Sequence, residues 1–345
     1  MKALILAGGK GSELLPMTAN TPKPIVPVGN IPFIFYQLDR LKKAGIKEVI
    51  LSLSYQPRHI QELLGDGSNF GLVIHYTVEA VPQGTAGALR TAAPLITGPT
   101  LVLNGDILTG VDLSRVIEHH RERRALVTLV EGRSNRPERL GVILKNRTGR
   151  VTGFIEKPRD HELQDDWVNM GVYVMEREIL DAIPAGTYYT LERELFPGLI
   201  GHGAKIIAQK TDEYWCHIDN PCCYLQANFD VLSGRVPLPK FFGLFEPRPF
   251  NLPASSRMDA KSFVHESCVI KENVVIENAV IGEKCRIEEG VQVRDSVIMS
   301  GSRLKSGAYL RYSAVGRNCV LGEAVTIGKG AFLGDKTTVA DFSRI

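Results

Sequence analysis

The chain has 345 residues, of which 44% are hydrophobic and 23% charged, enough apolar sequence for two ordinary domains and too much for a disordered or collagen-like protein. Its 41 Lys and Arg against 38 Asp and Glu give a formal net charge of +3, and since the basic residues are scattered, we expect no nucleic acid partner. No apolar run approaches the ~18 residues that cross a bilayer and the N-terminus lacks a signal-peptide pattern, so we expect a cytoplasmic protein without membrane contact.

The six cysteines have no zinc-site spacing, and nothing marks the chain as secreted, so we expect reduced thiols. Cys216, Cys222 and Cys223 lie close together in the sequence, which leaves a metal or redox site open. The alternative is that they are ordinary buried small side chains, as most thiols are.

Residues 1 to about 235 alternate short β-branched runs with amphipathic stretches. In chain order these are KALILA, PFIFYQLDRLKKAG, EVILSLSY, HIQELLG, LVIHYTVE, GTAGALRTAAPLI and TLVLNGDIL. The order βαβαβαβ predicts an α/β domain with a Rossmann-like, mostly parallel sheet covered by helices. Because ligands bind at the carboxyl ends of such strands, we expect loops 7–18, 79–85 and 104–107 on one rim. The less regular alternation that follows predicts the substrate half of the same domain, 1–235.

Residues 236–260 hold five prolines without periodicity and are predicted to be a linker. In the remaining segment, 261–345, apolar residues recur every five or six positions, and three steps close one coil of 17 or 18 residues. The positions are Val264, Ile270, Ile276, Ile281, Ile287, Val293, Ile298, Leu304, Leu310, Val315, Leu321, Ile327, Leu333 and Val339. This hexapeptide repeat predicts a three-sided, left-handed parallel β-helix. Small residues at a spacing of 17 should form one inward column: Cys268, Cys285, Ser302 and Cys319.

A glycine-rich loop, Gly8-Gly9-Lys10-Gly11-Ser12, follows the first predicted strand. Glycines at such a turn allow backbone N–H groups to approach a phosphate or a base edge. The loop is not a Walker A motif, because Gly11 follows Lys10 where Ser or Thr is required. It is not a dinucleotide fingerprint either, because Leu14 replaces the third glycine. Some other nucleotide loop is predicted.

The loop resembles that of the sugar-nucleotide pyrophosphorylases, whose pattern is G-G-x-G-T-R-L-x-P-L-T followed by P-K-P. Here the stretch 8–18 reads GGKGSELLPMT, and Pro22-Lys23-Pro24 stands at the expected distance. Further matches are Gly84-Thr85-Ala86-Gly87-Ala88, Asn104-Gly105-Asp106, Gly141-Val142, Glu156-Lys157-Pro158, Asn169-Met170-Gly171-Val172-Tyr173, and Trp215 before an Ile-x-x-Pro segment. The GTAGAL loop and the short hexapeptide tail are most similar to the mannose-1-phosphate guanylyltransferases.

The resemblance implies an enzyme in which a sugar 1-phosphate, here mannose 1-phosphate, attacks the α-phosphorus of a nucleoside triphosphate, here GTP, and gives GDP-mannose and pyrophosphate. It implies the catalytic residues Lys23, Asp106 and Lys157, and the sugar-binding residues Gly141, Glu156 and Asn169. The nucleotide-binding residues that it implies are Leu6, Ala7, Gly8, Gly9, Lys10, Gly11, Ser12, Gln83, Gly84 and Thr85. Such a transfer needs cations and N–H donors rather than a protein nucleophile.

Asp106 ends an apolar strand, where an uncompensated carboxylate is costly unless it meets a cation. Mg²⁺ is the expected cofactor, since it takes few carboxylates together with phosphate oxygens and water. The alternative is that Asp106 caps a helix beginning near Asp112.

Two residues depart from the family pattern. Glu13 stands where the family has the arginine that contacts the triphosphate, and His217 stands where it has a second metal-binding aspartate. Imidazole is a poor ligand for Mg²⁺, and Asp219, two residues further along a predicted strand, is expected on the same face as a substitute ligand. Two hypotheses therefore stay open: an active nucleotidyltransferase, which we favour, and a weak or inactive regulatory homologue that binds a sugar nucleotide and an active partner.

The β-helix is interpreted as a structural module. A hexapeptide acyltransferase would need a catalytic histidine in a loop, and this segment offers only His265 in its first coil. Open backbone edges at the ends of the coil favour a partner, so we expect a homo-oligomer that associates through the β-helix. Tyr309 and Tyr312 are the candidate exposed contact residues on its outer face.

Overall fold

The computed structural model describes residues 1–159, 166–241 and 250–345. They form two compact units: Met1–Lys10 with Gln37–His217, and Gly11–Tyr36 with Ile218–Ile345. The segment 11–36, which carries much of the glycine-rich signature, is thus grouped with the C-terminal part of the chain. The predicted boundaries at 235 and 261 stay a prediction, and residues 242–249 of the predicted linker lie outside the described residues.

The strands up to residue 217 are β1 (Lys2–Leu6), β2 (Pro27–Val28), β3 (Ile31–Pro32), β4 (Glu48–Leu53), β5 (Val73–Val78), β6 (Thr100–Asn104), β7 (Ile107–Thr109), β8 (Val127–Arg133), β9 (Gly141–Lys145), β10 (Val151–Glu156), β11 (Trp167–Met175), β12 (Ile206–Lys210) and β13 (Trp215–His217). The helices are α1 (Phe33–Lys43), α2 (Pro57–Leu64), α3 (Gly84–Thr91), α4 (Leu113–Arg123), α5 (Phe196–Gly201) and α6 (Pro221–Leu232).

The first unit is built on a nine-stranded sheet of order β10-β9-β11-β6-β1-β4-β5, with β8 on β11 and β12 on β8. Strands β6, β1, β4 and β5 are parallel and joined through helices, which confirms the predicted βαβ half. Strands β1, β4 and β6 are largely buried, as in Ala3-Leu4-Ile5, because both faces of such a sheet are covered, whereas in β5, the last strand of the order, only Ile74 is buried. In the second half, β11 runs antiparallel to β6, β8 and β9.

Helix α4 begins where the sequence predicts a helix near Asp112. The Asp112 carboxylate accepts hydrogen bonds from the backbone N–H groups of Ser114 (3.0 Å) and Arg115 (3.4 Å), so it is the N-terminal cap. Because Asp112 itself fills this role, the interpretation of Asp106 as the cap of this helix is wrong.

The C-terminal part of the second unit is a three-sided parallel β-helix. Its strands are β14 (Arg257–Met258), β15 (Phe263–Val264), β16 (Val269–Ile270), β17 (Val275–Glu277), β18 (Val280–Ile281), β19 (Arg286–Ile287), β20 (Gln292–Arg294), β21 (Val297–Ile298), β22 (Arg303–Leu304), β23 (Tyr309–Arg311), β24 (Ala314–Val315), β25 (Val320–Leu321), β26 (Thr326–Ile327), β27 (Phe332–Leu333) and β28 (Thr338–Val339).

Every third strand joins the same face, which gives three parallel sheets of five strands. All fourteen apolar repeat positions are buried, which confirms the period read from the sequence. The first strand, Arg257–Met258, lies inside the segment predicted as linker, so the coil starts a few residues earlier than the apolar period indicates. Its Met258 stands in the repeat register opposite Ile276 and packs, partly buried, against the apolar interior of the coil.

The predicted inward column of small residues is present, and Cys268, Cys285, Ser302 and Cys319 are all buried. Each donates its side-chain hydrogen to a carbonyl of the next coil, for example Cys268 Sγ to Gly282 O (2.9 Å) and Ser302 Oγ to Gly316 O (2.8 Å). A small donor at a spacing of 17 thus satisfies one corner carbonyl per coil.

Within the described residues no helix combines the length and the apolar character that a membrane span requires. The expectation that Cys216, Cys222 and Cys223 are buried small residues is wrong, because Cys222 is exposed and Cys216 and Cys223 are only partly buried.

Candidate active site

The carboxyl ends of the parallel strands of the first unit form a closely packed edge. Leu6 pairs with Asn104, and Gly105 N–H donates to Leu6 O at 2.9 Å. A Cβ at Gly105 would lie 2.5 Å from that carbonyl oxygen and 3.1 Å from Ala7 Cα, so only glycine allows the two backbones to approach here. The predicted nucleotide-binding residues Leu6 to Lys10 therefore leave the sheet directly beside the segment that carries Asp106.

Asn104 is a residue of this edge that the predicted site omits. Its Oδ1 is buried and has no hydrogen-bond partner among the described residues, although buried carbonyl oxygens are nearly always bonded. Gly171, at φ +76°, leaves room for the Asn104 side chain, since a Cβ there would lie 2.5 Å from Asn104 Nδ2. An orphaned acceptor at the end of a parallel strand is typical of a ligand-binding edge.

The side chains of Asp106 and His217 are in direct contact in the first unit. Strands β7 and β13 pair antiparallel with His217 opposite Ile107, which brings His217 Nε2 to 3.0 Å from Asp106 Oδ2. Both side chains are about one quarter exposed. His217, which stands where the family has its second aspartate, is therefore a direct partner of Asp106. When protonated, His217 forms an ion pair with the Asp106 carboxylate.

This donor set does not fit the predicted Mg²⁺ site. Mg²⁺ prefers oxygen ligands in near-octahedral geometry, whereas the Asp106 oxygen faces an imidazole. Among the described residues, no group of three or more His, Cys, Asp and Glu side chains could hold a metal ion. The Mg²⁺ cofactor stays a prediction.

The proposed ligand Asp219 does not follow from strand geometry. Strand β13 ends at His217, and Ile218 is buried, so the rule that alternate strand residues share a face does not reach residue 219. Asp219 belongs to the second unit, where its Oδ1 accepts from Asn220 Nδ2 at 2.7 Å. Asn220 in turn caps helix α6.

The predicted sugar-binding residues lie where β9, β10 and β11 meet. Gly141 pairs with Glu156, and a Cβ at Gly141 would lie 2.9 Å from Glu156 Oε2. Burial raises the pKa of the Glu156 carboxyl, and the nearby cations of Lys157 and Arg193 partly oppose that rise. A half-buried carboxyl is suited to accept hydrogen bonds from sugar hydroxyl groups.

Asn169 is fixed by its neighbours in the same strand. Its Nδ2 donates to Tyr173 OH at 2.7 Å, and its Oδ1 accepts from Gly171 N–H at 3.1 Å.

The predicted catalytic residue Lys157 is exposed and has a left-handed backbone at φ +51°. Its backbone N–H donates to Leu140 O at 3.0 Å. This conformation costs energy for a non-glycine residue.

Thr85 and Glu192 form a partly buried contact that no sequence motif indicates. The Thr85 hydroxyl donates to Glu192 Oε2 at 3.1 Å and accepts from Leu191 N–H at 2.8 Å. Glu192, in a π-helical turn at Leu191–Leu195, also accepts from Tyr173 OH at 3.3 Å. The Thr85 hydroxyl ties the start of α3 to this turn, and the nucleotide contact of Thr85 stays a prediction. Gln83, the residue before α3, contributes its carbonyl to Tyr189 N–H at 2.8 Å.

Burial raises the pKa of Glu192 above its usual value of 4.5, which predicts a pH-dependent effect on stability. A raised pKa in the folded state means that the folded protein loses stability as pH rises from about 4.5 through the raised value. Glutamine does not ionise, so Glu192→Gln removes this loss of stability. The melting temperature of the variant minus that of the wild type should therefore increase with pH. The exposed Glu118→Gln serves as control, and parallel profiles for wild type and Glu192→Gln would contradict the assignment.

The other predicted nucleotide-binding residues, Gly11 and Ser12, and the predicted catalytic Lys23 belong to the second unit. Gly11 (φ +66°) faces the lysine, since a Cβ there would lie 2.9 Å from Lys23 Cβ. Lys23 Nζ donates to Glu13 Oε1 at 2.6 Å; the Lys23 side chain is 8% exposed and that of Glu13 40%. The residue that replaces the family's arginine is thus the ion-pair partner of the predicted triphosphate-binding lysine.

Comparison with known proteins identifies both parts of the chain. Residues 2–234 match the nucleotidyl transferase family model, and residues 243–345 match the model of the EIF2B subunit epsilon LbH domain. The second match agrees with the left-handed β-helix expected from the hexapeptide period.

Two curated relatives show what the chain is similar to. A mannose-1-phosphate guanylyltransferase of Mycobacterium tuberculosis is 38% identical over 243 residues, which is 70% of this chain and 67% of the relative. A UTP–glucose-1-phosphate uridylyltransferase of Synechocystis is 32% identical over 252 residues, 68% of this chain and 64% of the relative. The chain thus spans about two thirds of the length of these relatives.

Solved structures agree on the fold. HddC from Yersinia pseudotuberculosis superposes with a TM-score of 0.59 at 25% identity, covering 67% of this chain and 99% of HddC. A Bacillus anthracis protein assigned as a glucose-1-phosphate thymidylyltransferase, in complex with a sucrose, gives 0.63 at 23% identity, with coverages of 70% and 98%. With the family model covering residues 2–234, the resemblance stated from the motifs is confirmed: this chain belongs to the nucleotidyl transferase family, in the class of the sugar-1-phosphate nucleotidyltransferases.

Proposed function

We propose that this protein condenses mannose 1-phosphate with GTP to give GDP-mannose and pyrophosphate. The observation that carries the proposal is a polar cluster of the first unit around Glu156. Its carboxyl feels the charge of His217, the partner of Asp106, and that of Glu192, which Tyr173 OH links to Asn169. The choice of sugar and base rests on the similarity to the Mycobacterium tuberculosis guanylyltransferase. The carboxyl and amide groups of the cluster suit a polyhydroxylated ligand.

In the proposed reaction an oxygen of the sugar phosphate attacks the α-phosphorus of GTP. The bond from that phosphorus to the oxygen bridging to the β-phosphorus breaks, and pyrophosphate leaves with the electron pair. Negative charge increases on the leaving group, so cations accelerate the step. Lys23 is assigned to the triphosphate and Lys157 to the sugar phosphate, while Glu156 and Asn169 orient the sugar ring through its hydroxyl groups.

A second candidate function is favoured by one specific observation, the pair of charge substitutions. Glu13 neutralises Lys23, and His217 pairs with Asp106. A triphosphate, which carries about four negative charges, must displace Glu13 from Lys23, whereas a sugar nucleotide with two negative charges gains less from a free lysine. The second candidate is therefore a homologue that binds a sugar nucleotide with little or no turnover.

Pyrophosphate release over a panel of four nucleoside triphosphates and several sugar 1-phosphates tests the proposal. We expect the greatest kcat/KM with GTP and mannose 1-phosphate. Release with another pair would reassign the substrates and keep the class of reaction. No release with any pair, together with calorimetric binding of GDP-mannose, would replace the proposal by the second candidate.

A further inference from the structure

The segment that carries Glu13 and Lys23 rests on one corner of the β-helix, within the second unit. Three contacts define this corner. The Arg317 guanidinium donates to Thr21 Oγ1, Asn30 Nδ2 donates to Ile281 O at 2.8 Å, and a Cβ at Gly334 would lie 3.2 Å from Pro16 Cβ. The β-helix residues involved all stand at or just after the ends of β18, β24 and β27, three strands of the same sheet.

Arg317 is itself held in place for this contact. Its backbone N–H donates to Asp335 Oδ1 at 2.8 Å, and its Nη1 lies 3.9 Å from Asp335 Oδ2. Thr21, which receives the guanidinium, is 5% exposed. A planar guanidinium fixed by a carboxylate on a neighbouring coil presents its donors in one orientation.

The backbone between Thr21 and Lys23 is stiff, so the position of Thr21 limits the position of Lys23. Thr21 is followed by Pro22-Lys23-Pro24. Each proline has a fixed φ near −65° and restricts the residue before it. Few backbone torsions between Thr21 and Lys23 can therefore change, and the hydroxyl contact at Thr21 limits where the Lys23 ammonium can lie.

Helix α6 connects the same segment to the outer face of the β-helix. Asn228 Oδ1 accepts from Gly29 N–H at 2.8 Å, and Tyr224 OH donates to Pro27 O at 2.8 Å. On the other side of the helix, the rings of Phe229 and Tyr312 pack with centroids 6.1 Å apart. Tyr309 and Tyr312 are expected from the sequence to be exposed, but both are partly buried; their role in self-association stays a prediction.

We infer that Arg317 is a positioning residue for Lys23, so that the β-helix sets the affinity of the signature segment for the nucleotide. The inference rests on the proposed function, because it takes Lys23 to bind the triphosphate. The β-helix then contributes to catalysis although none of its residues contacts a reacting atom. Loss of the Arg317 to Thr21 contact should weaken triphosphate binding and leave the affinity for sugar 1-phosphate unchanged.

The test compares Arg317→Ala, Thr21→Val and the double variant in the full chain, with Arg311→Ala as control for an exposed arginine of the β-helix. We expect both single variants to raise the KM for GTP about tenfold, with the KM for mannose 1-phosphate and the melting temperature unchanged. The double variant should be no worse than either single variant, because both remove the same contact. Arg317→Lys, which keeps the charge, should recover part of the affinity.

Two further readouts separate this inference from the proposed function. Hydrogen exchange of residues 17–26 needs no turnover, and we expect faster exchange there in Arg317→Ala and Thr21→Val but not in Arg311→Ala. If the wild type releases no pyrophosphate, the proposed function fails, and the inference is then decided by this exchange and by calorimetric binding of GTP. Unchanged exchange, or additive effects of the two substitutions on GTP affinity, would overturn the inference.

Discussion

In a Lys23→Met variant we expect GTP-dependent pyrophosphate release to fall by about 10²- to 10³-fold, the loss typical of removing one donor from a charge-stabilising site. Methionine fills nearly the same volume, which matters because the Lys23 side chain is 8% exposed. Its partner Glu13 is 40% exposed and remains solvated without the lysine, so the fold should persist.

Lys47→Met is the matched control, since Lys47 is an exposed lysine of the first unit. Its melting temperature and activity should equal those of the wild type. Retention of full activity in Lys23→Met would remove this residue from the nucleotide site, and with it the assignment made from the Pro-Lys-Pro motif.

Restoring the two charges of the family pattern should have the second large effect. Glu13→Arg releases Lys23 and adds a guanidinium, which should strengthen triphosphate binding by about 1–3 kcal/mol, roughly 5- to 150-fold. Glu13→Gln, which only releases Lys23, should give a smaller gain. Weaker or equal binding in Glu13→Arg would mean that the Glu13 side chain does not face the phosphates.

Adding His217→Asp to Glu13→Arg places a second carboxylate next to Asp106. Two adjacent carboxylates repel each other unless a cation lies between them, so this variant should show a rise in melting temperature on addition of Mg²⁺ that the wild type does not show. We expect turnover above that of either single variant. His217→Asn is the control without a new charge, and an equal response to Mg²⁺ in wild type and double variant would refute the role given to His217.

The β-helix could be predicted almost completely from the sequence. Each coil repeats the last, so that a single period places Ile276, Val293 and Leu310 in one buried row. The parallel half of the first unit was predictable in the same way, from the alternation of strand-like and helix-like stretches along the sequence. The pairing of β11 with β6, β8 and β9 did not, because nothing in a strand of nine buried residues specifies which neighbours it will have.

The candidate site was predictable in its residues and not in its contacts. Glu13 and His217 stand out in the sequence as departures from a pattern, yet their pairing with Lys23 and Asp106 appears only in the folded chain. Thr85 and Glu192 are 107 residues apart, and no local pattern joins them.

Transfer of label from GTP into the sugar nucleotide tests the central claim most directly. With GTP labelled at the α-phosphorus and mannose 1-phosphate, the wild-type protein should yield labelled GDP-mannose, and with GTP labelled at the γ-phosphorus all released label should be pyrophosphate. Label appearing as orthophosphate, or none entering a sugar nucleotide at saturating concentrations of both substrates, would contradict nucleotidyl transfer by this chain.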